Sequence, residues 1–279
     1  MTGRITPESM AVSLSKIEAS IGKPSVARIY DYILGGTHNY AVDREFAKQQ
    51  LDVWPGIRNA MRANRRFLGR ATQYAAAQGI RQFVDIGSGL PSEGQVHEMA
   101  DLAAPDECAV VYIDNEPIAH AHAQILLGET ADPDRHFALY ADLLDYADLW
   151  KQVASIDGID VRKPICLFVV ALLHFIPDDR DPQAALEFLR SKLAPGSMLV
   201  ISHGGDVSDE AVAEVVRNYN KQSTATVLRS PERIREFFGD FDLVDPGLSW
   251  VPTWRPDEAE RWRGNPAESV YLGAVGVKH

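Results

Sequence analysis

The chain has 279 residues, 46% of them hydrophobic and 24% charged, which is the composition of a folded globular protein rather than a disordered one. A formal charge of −11 argues against broad binding to nucleic acid or anionic membrane, because both draw on clustered Lys and Arg. The only cysteines, Cys108 and Cys166, lie in or beside apolar runs without a CxxC, so they read as buried reduced thiols and neither a zinc site nor a disulfide framework is expected. The N-terminus lacks a basic-then-apolar signal pattern, and the longest apolar run, residues 165–173, is too short to span a bilayer. A cytoplasmic protein is the expectation, with no metal and no membrane partner; oligomeric state is open.

Residues 1–22 are polar and read as a mobile or loosely docked arm. From 23 to 80 the pattern is helical, and this segment reads as a cap. Val26, Ile29, Tyr30, Ile33 and Leu34 share one helical face, and Gly35-Gly36 stops the helix. Residues 35–40 read as a loop, and Asp43 caps a short helix through Leu51. Pro55 opens a longer helix whose apolar stripe is interrupted by Asn64. A buried amide needs partners, so Asn64 either bonds a neighbouring loop or, with Arg65 beside it, reaches a ligand cleft.

From residue 81 to 279 strands and helices alternate, which predicts a mostly parallel sheet with helices on both faces. The expected strands are 82–86, 109–114, 136–140, 164–172 and 197–202. The expected helices are 93–103, 117–127, 182–193, 208–221 and 231–238. The run 164–172 is apolar throughout, as a central parallel strand should be. Two late runs, 241–244 and 269–275, fit an antiparallel hairpin at the sheet edge.

Ligands of open α/β sheets bind beyond the carboxyl ends of the strands. The first strand ends Asp85-Ile86-Gly87-Ser88-Gly89, a turn where backbone can touch a ligand. The second ends in Asp114 and Asn115; an acid here can accept hydrogen bonds from both hydroxyls of a ribose. Asp142, after the third strand, can bond an exocyclic adenine amine, with Leu143 next to it. The loop is not the dinucleotide fingerprint G-x-G-x-x-G, because Ser92 stands where the third glycine would fall and Pro91 removes a donor. A ligand without a pyrophosphate suits it better.

Several stretches together make a resemblance specific. They are Pro24-Ser25-Val26-Ala27-Arg28-Ile29-Tyr30-Asp31-Tyr32-Ile33-Leu34-Gly35-Gly36, Asn64-Arg65-Arg66-Phe67-Leu68, Gln82-Phe83-Val84-Asp85-Ile86-Gly87-Ser88-Gly89-Leu90-Pro91, Val111-Tyr112-Ile113-Asp114-Asn115 and Leu173-His174-Phe175. With these the chain resembles a family of S-adenosylmethionine-dependent methyltransferases found mainly in actinobacteria and long catalogued as a domain of unknown function. The resemblance implies a Rossmann-like seven-stranded methyltransferase sheet, mostly parallel with an antiparallel C-terminal hairpin, and S-adenosyl-L-methionine as cofactor. It implies that Asp85, Gly87 and Gly89 line the methionine end, Asp114 the ribose, Asp142 and Leu143 the adenine, and Ala171 to His174 the floor near the methyl group. Ser88 and Asn115 fall within the same two matching stretches. Two positions depart from common patterns: Pro91 replaces a frequent glycine, and Glu116 stands where the family commonly has aspartate.

The segment 24–43 reads as a lid over the cofactor, with Tyr30 near the sulfonium or adenine and Asn39 beside the Gly-Gly hinge. An oxygen or nitrogen acceptor can also need a base. His174, at the end of the fourth strand, is the leading candidate and His203 the second. A small-molecule acceptor is expected, with no nucleic acid. The competing readings are a non-catalytic cofactor-binding regulator and a nicotinamide-dependent oxidoreductase.

Overall fold

The computed structural model describes residues 18, 20–91, 94–130, 132–258 and 261–279. Most of the expected N-terminal arm, and Ser92 of the glycine-loop argument, lie outside the described residues. At the end of this segment, Arg28 donates through Nη1 to Ser20 Oγ at 2.7 Å and through Nη2 to Ser20 O at 3.0 Å.

Helices α1 (Val26–Leu34), α2 (Ala41–Val53) and α3 (Ile57–Ala77) form the cap. Helix α1 ends where the sequence predicts, at Gly35 with φ 98°, whose N–H turns back to the carbonyls of Asp31 and Tyr32. Strand β1 (Gln82–Ile86) is followed by α4 (Val96–Ala103), β2 (Ala109–Asp114), α5 (Pro117–Thr130), β3 (His136–Tyr140) and α6 (Tyr146–Ala154). Then come β4 (Cys166–Val170), α7 (Pro182–Lys192), β5 (Met198–Gly204), α8 (Glu210–Gln222) and α9 (Pro231–Glu236). The chain closes with β6 (Asp242–Leu243), β7 (Ser249–Trp250) and β8 (Tyr271–Val277).

The sheet order is β3-β2-β1-β4-β5-β8-β6, with β7 paired to β8. Strands β1 to β5 pair in parallel, while β8 runs antiparallel to β5, β6 and β7. Chain order reverses between β1 and β4, which opens a crevice at the carboxyl ends of those two strands. The expected C-terminal hairpin exists, but β8 sits inside the sheet and the two-residue β6 holds its edge. The additional pairing of β7 makes eight strands where seven were expected. Helix α6 and strand β7 were not anticipated.

The periodicity accounts for the packing. All five residues of β1 and all seven of β5 are buried, as strands covered on both faces must be. One core holds Val84, Val111, Leu167, Leu199 and Phe238; the other holds Phe67, Phe83, Val110, Phe168 and Trp254. The alternating side chains of each strand feed the two cores in turn. A third, smaller core joins the cap to α8 through Ile29, Ile33, Phe46, Ile57, Met61, Val215 and Tyr219. The cap therefore rests on a helix from late in the chain. Cys108 and Cys166 are buried and unbridged, as expected.

Candidate functional site

A cavity of about 550 Å³ lies between the cap and the carboxyl ends of the strands. Its floor begins at the turn after β1. Gly87 has φ 74° and Gly89 φ 67°, conformations that side-chain-bearing residues rarely adopt. At Gly87 an added Cβ would stand 2.9 Å from two carbons of Leu172. The loop is stitched to the end of β2: the N–H groups of Gly87 and Ser88 donate to Ile113 O at 2.8 and 3.1 Å. Gly89 N donates to Asp114 Oδ2 at 2.8 Å, and Glu116 N to Asp114 Oδ1 at 2.8 Å. An ionised carboxylate has about four lone-pair sites, so each oxygen of Asp114 keeps acceptor capacity for a ligand.

Asp85 differs from Asp114 in one respect. It is buried and lines the cavity, yet among the described residues none donates a hydrogen bond to its carboxyl. Burial pushes its pKa up to about 7; Arg65, also on the cavity wall, pulls down, and Asp114 pushes further up. Burial likewise raises Asp114 to about 6, against the lowering effect of its bonds from Glu116 and Gly89. Even with Arg65 on the same wall, both acids stay above the ordinary carboxylate range.

Beyond β3, Asp142 caps a short 3-10 turn, its Oδ1 accepting from Leu144 N at 2.9 Å. Its Oδ2 accepts from Asn115 Nδ2 at 3.0 Å, which links the ends of β2 and β3 on the cavity rim. Leu143 is buried and lines the same wall.

The cap closes over this floor through polar anchors. Tyr30 lines the cavity; its hydroxyl donates to Met61 O at 3.0 Å and accepts from Asn64 Nδ2 at 3.4 Å. Asn64 is hydrogen-bonded internally, though to β5 and α1 rather than to a neighbouring loop, and it also faces the cavity. Its Oδ1 accepts from Ser202 Oγ at 2.5 Å, and the residue lines the cavity. Ser202 in turn faces the N–H of Ala171, a cavity residue held at φ 52°. Asn39, expected as a cofactor contact, does not line the cavity. Its Nδ2 donates to Asp31 Oδ2 at 2.7 Å and to Gly36 O at 2.9 Å, so it shapes the loop through Asp31, which does line it.

A buried ion-pair network fastens the cap to the sheet. Arg28, fully buried, donates to Asp43 Oδ2 at 2.7 Å and to Glu116 Oε1 at 2.7 Å. Asp43 also accepts from Ser25 N and Tyr40 N, both at 2.9 Å. The sequence marked Asp43 as a helix cap and Glu116 as a departure; their joint role was missed because it needs Arg28 between them. No short-range pattern signals a contact spanning 88 residues.

The two candidate bases separate. His174 lines the cavity, but its Nδ1 lone pair faces the N–H of Gly204 at 3.4 Å. Burial, His203 and Arg229 hold its pKa well below the usual value, which favours the neutral ring, and the Gly204 N–H facing Nδ1 assigns the remaining proton to Nε2. It offers the cavity an N–H rather than a basic nitrogen. His203 is fully buried and is not part of the cavity wall. Its Nδ1 donates to Gly204 O at 2.8 Å, and its Nε2 accepts from Arg229 Nη1 at 2.7 Å. Burial lowers its pKa to about 3. With both nitrogens engaged behind the wall, His203 corrects the expectation of a second base: it positions Arg229, which also bonds the carbonyls of Leu173 and Ile176.

Of the expected cofactor residues, Tyr30, Arg65, Asp85, Gly87, Ser88, Gly89, Asp114, Asn115, Asp142, Leu143, Ala171 and His174 converge on one cavity. Sequence reasoning missed Tyr219 and Tyr271, which line it from α8 and the start of β8. No motif surrounds either. Among the described residues no cluster of metal-ligating side chains occurs, and no helix is long and apolar enough to cross a membrane.

A parallel sheet reversed at β1/β4, a turn in which Gly87 has no room for a Cβ, and acids ending β1 and β2 give the chain the architecture of the methyltransferase class. Comparison with known proteins makes this particular. Residues 12–279 match the model of the family described as S-adenosyl methyltransferase, and the chain belongs to that family. A DUF574 family protein from Streptomyces avermitilis has a solved structure 35% identical to this chain, with a TM-score of 0.88, covering 93% of this chain and 99% of that one. A protein from Thermobifida fusca, whose structure is titled as that of a methyltransferase, is 32% identical at a TM-score of 0.85, covering 94% and 97%. A Mycolicibacterium smegmatis protein named as an S-adenosyl-L-methionine-dependent methyltransferase is 27% identical over 84% of this chain and 74% of its own length. Matches to similarly named proteins of Mycolicibacterium gilvum and Mycobacterium tuberculosis span 44–45% of those proteins, so the chain aligns with about half of them.

Proposed function

We propose that the protein is an S-adenosyl-L-methionine-dependent methyltransferase acting on a small-molecule acceptor. The observation that carries this is Asp85, a buried carboxyl without a described donor, standing beside the Gly87-Ser88-Gly89 turn and Asp114 on one cavity wall. A buried carboxylate of this kind is completed by a cationic ligand. The residues fit the cofactor group by group. Asp85 suits its amino-acid end, the turn at Gly87 gives backbone contact where a Cβ would collide, Asp114 has free lone pairs for a ribose, and Asp142 and Leu143 form a half-polar, half-apolar rim for a base.

When bound, the cofactor supplies an electrophilic methyl group on a sulfonium, so activation of the carbon is not the protein's task. The chain's own residues bind, orient and exclude water. The cap closes the cavity through the Tyr30–Asn64–Ser202 hydrogen bonds and the Arg28 network, and alignment in a dry site accelerates a displacement. A chain of net charge −11 with its cavity beneath a cap favours a small acceptor over a nucleic acid.

A thermal-shift panel tests the reading. S-adenosyl-L-methionine and S-adenosylhomocysteine should each raise the melting temperature, and NAD should not. A shift by NAD alone would overturn it. Methyl transfer to any acceptor in a small-molecule library, followed by release of S-adenosylhomocysteine, separates an enzyme from a cofactor-binding regulator.

A further inference from the structure

The two ends of the cavity differ in chemistry. The ends of β1, β2 and β3 bring Asp85, Asp114 and Asp142. From β4 onward the lining contains no carboxylate, and its one full charge is Arg180 at the exposed mouth. What this end has is hydrogen-bond donors. His174, Tyr219 and Tyr271 all line it, and the His174 and Tyr271 rings lie 5.8 Å apart between centroids. Phe175 bridges the group, 4.2 Å from His174 and 5.9 Å from Tyr219.

These donors are unused. Among the described residues none bonds to the hydroxyl of Tyr219, the hydroxyl of Tyr271 or Nε2 of His174, and none of the three atoms is sealed away from open space. Open to the cavity and bonded to no described residue, three donors on its lining are free to bond a ligand that displaces solvent there. Tyr30 serves as the contrast, since its hydroxyl is already spent on Met61 O.

We propose that this end of the cavity binds the methyl acceptor as an oxyanion, an ionised phenol or enol, held by the N–H of His174 and the hydroxyls of Tyr219 and Tyr271. The inference rests on the methyltransferase reading above and names its substrate class. The donors keep their protons. Burial pushes the pKa of Tyr219 above the ordinary phenol value, and burial with neighbouring Tyr30 and Tyr219 raises that of Tyr271. The His174 lone pair points away, to Gly204. Arg229, behind His174, adds positive potential, which its partner Asp178 partly offsets at 2.8 Å. Beside Thr224 and Thr226, the residues Val212, Val215, Val216 and Leu228 give this end apolar surface that suits a flat hydrocarbon body.

The chemistry then balances without a base. An acceptor that arrives ionised has no proton to lose. Its oxygen bonds the methyl carbon as the carbon–sulfur bond breaks, and anion plus sulfonium become neutral ether plus neutral thioether. Neutral donors fixed in a dry site hold the anion without quenching its lone pair, and they need no reorganisation.

The test uses the full chain saturated with S-adenosylhomocysteine, with 4-nitrophenol as probe because its colour reports its ionisation. At one pH unit below the probe's own pKa, the bound probe should show the phenolate band. Its methyl ether, 4-nitroanisole, should bind at least tenfold more weakly. Tyr219→Phe and Tyr271→Phe each remove one hydroxyl and leave the ring; each should weaken 4-nitrophenol at least threefold, and neither should change 4-nitroanisole binding. A bound probe that stays neutral, equal affinity for the ether, indifference to both substitutions, or no binding at all would overturn the proposal. Calorimetry with S-adenosylhomocysteine alone keeps the two claims apart. If that ligand fails to bind, the cofactor reading falls; if it binds and the phenolate is not captured, only the acceptor class falls.

Discussion

The β1–β3 end of the cavity and the β4–β8 end are built by different means. The first is assembled from residues at the ends of consecutive strands: Asp85, Gly87, Gly89, Asp114 and Asp142 each follow an apolar run, and backbone N–H groups lock the pieces together. The second is assembled from distant chain: His174 after β4, Tyr219 on α8, Tyr271 opening β8, with Tyr30 and Asn64 from the cap. One end carries acids held above the ordinary carboxylate range by burial; the other carries donors that bond no described residue. Local sequence builds the floor at the ends of β1 to β3, whereas tertiary packing builds the opposite wall.

Breaking the tie between the regions should have the largest effect. Asp43→Ala leaves Arg28 with only Glu116 as charged partner in a fully buried place, and should cost about 3 kcal/mol in urea unfolding. A loss well below that would mean that the cap is held by its apolar core alone.

Next comes the floor. Asp114→Ala should weaken S-adenosylhomocysteine at least tenfold, or about 1.4 kcal/mol, by calorimetry. Tyr219→Phe, at the other end, should leave that affinity within twofold. Equal losses from the two would erase the division between the ends. Gly87→Ala forces a side chain into positive φ and against Leu172, and should weaken the same ligand about fivefold, since Leu172 can partly yield.

The smallest effect is a pH dependence. Asp85 has a folded pKa of about 7, above the unfolded carboxylate value, so the native state alone keeps that proton between about pH 4 and 7. Its contribution to stability therefore falls as pH rises through this window. Affinity for a cationic ligand should rise over the same interval as the carboxyl ionises. Asp85→Asn should flatten both profiles in thermal melts and titrations, and should raise the melting temperature of the ligand-free protein at pH 8 by a few degrees. Unchanged profiles would show that Asp85 does not titrate in this range.

Much of this was legible in the sequence. The strand runs, the Gly35 stop and the acids at strand ends are local signals, and periodicity with turn chemistry carries them. What escaped depends on contacts no window contains. Strand β8 enters the sheet between β5 and β6 because its fully apolar pattern needs cover on both edges, which its late position in the chain hides. His203 resembles His174 in sequence, each near the end of an apolar strand. The difference is Arg229, which takes up the second nitrogen of His203 behind the wall. Asn39 belongs to a polar cluster as expected, yet bonds Asp31 rather than facing the cavity.

The central claim is that the crevice over β1 and β2 holds an adenosyl sulfonium. A crystal structure at saturating S-adenosyl-L-methionine tests it most directly. Density in that crevice, with the ammonium group at Asp85 and the ribose at Asp114, is the expected result. An empty crevice, or the ligand bound elsewhere on the molecule, would contradict the account.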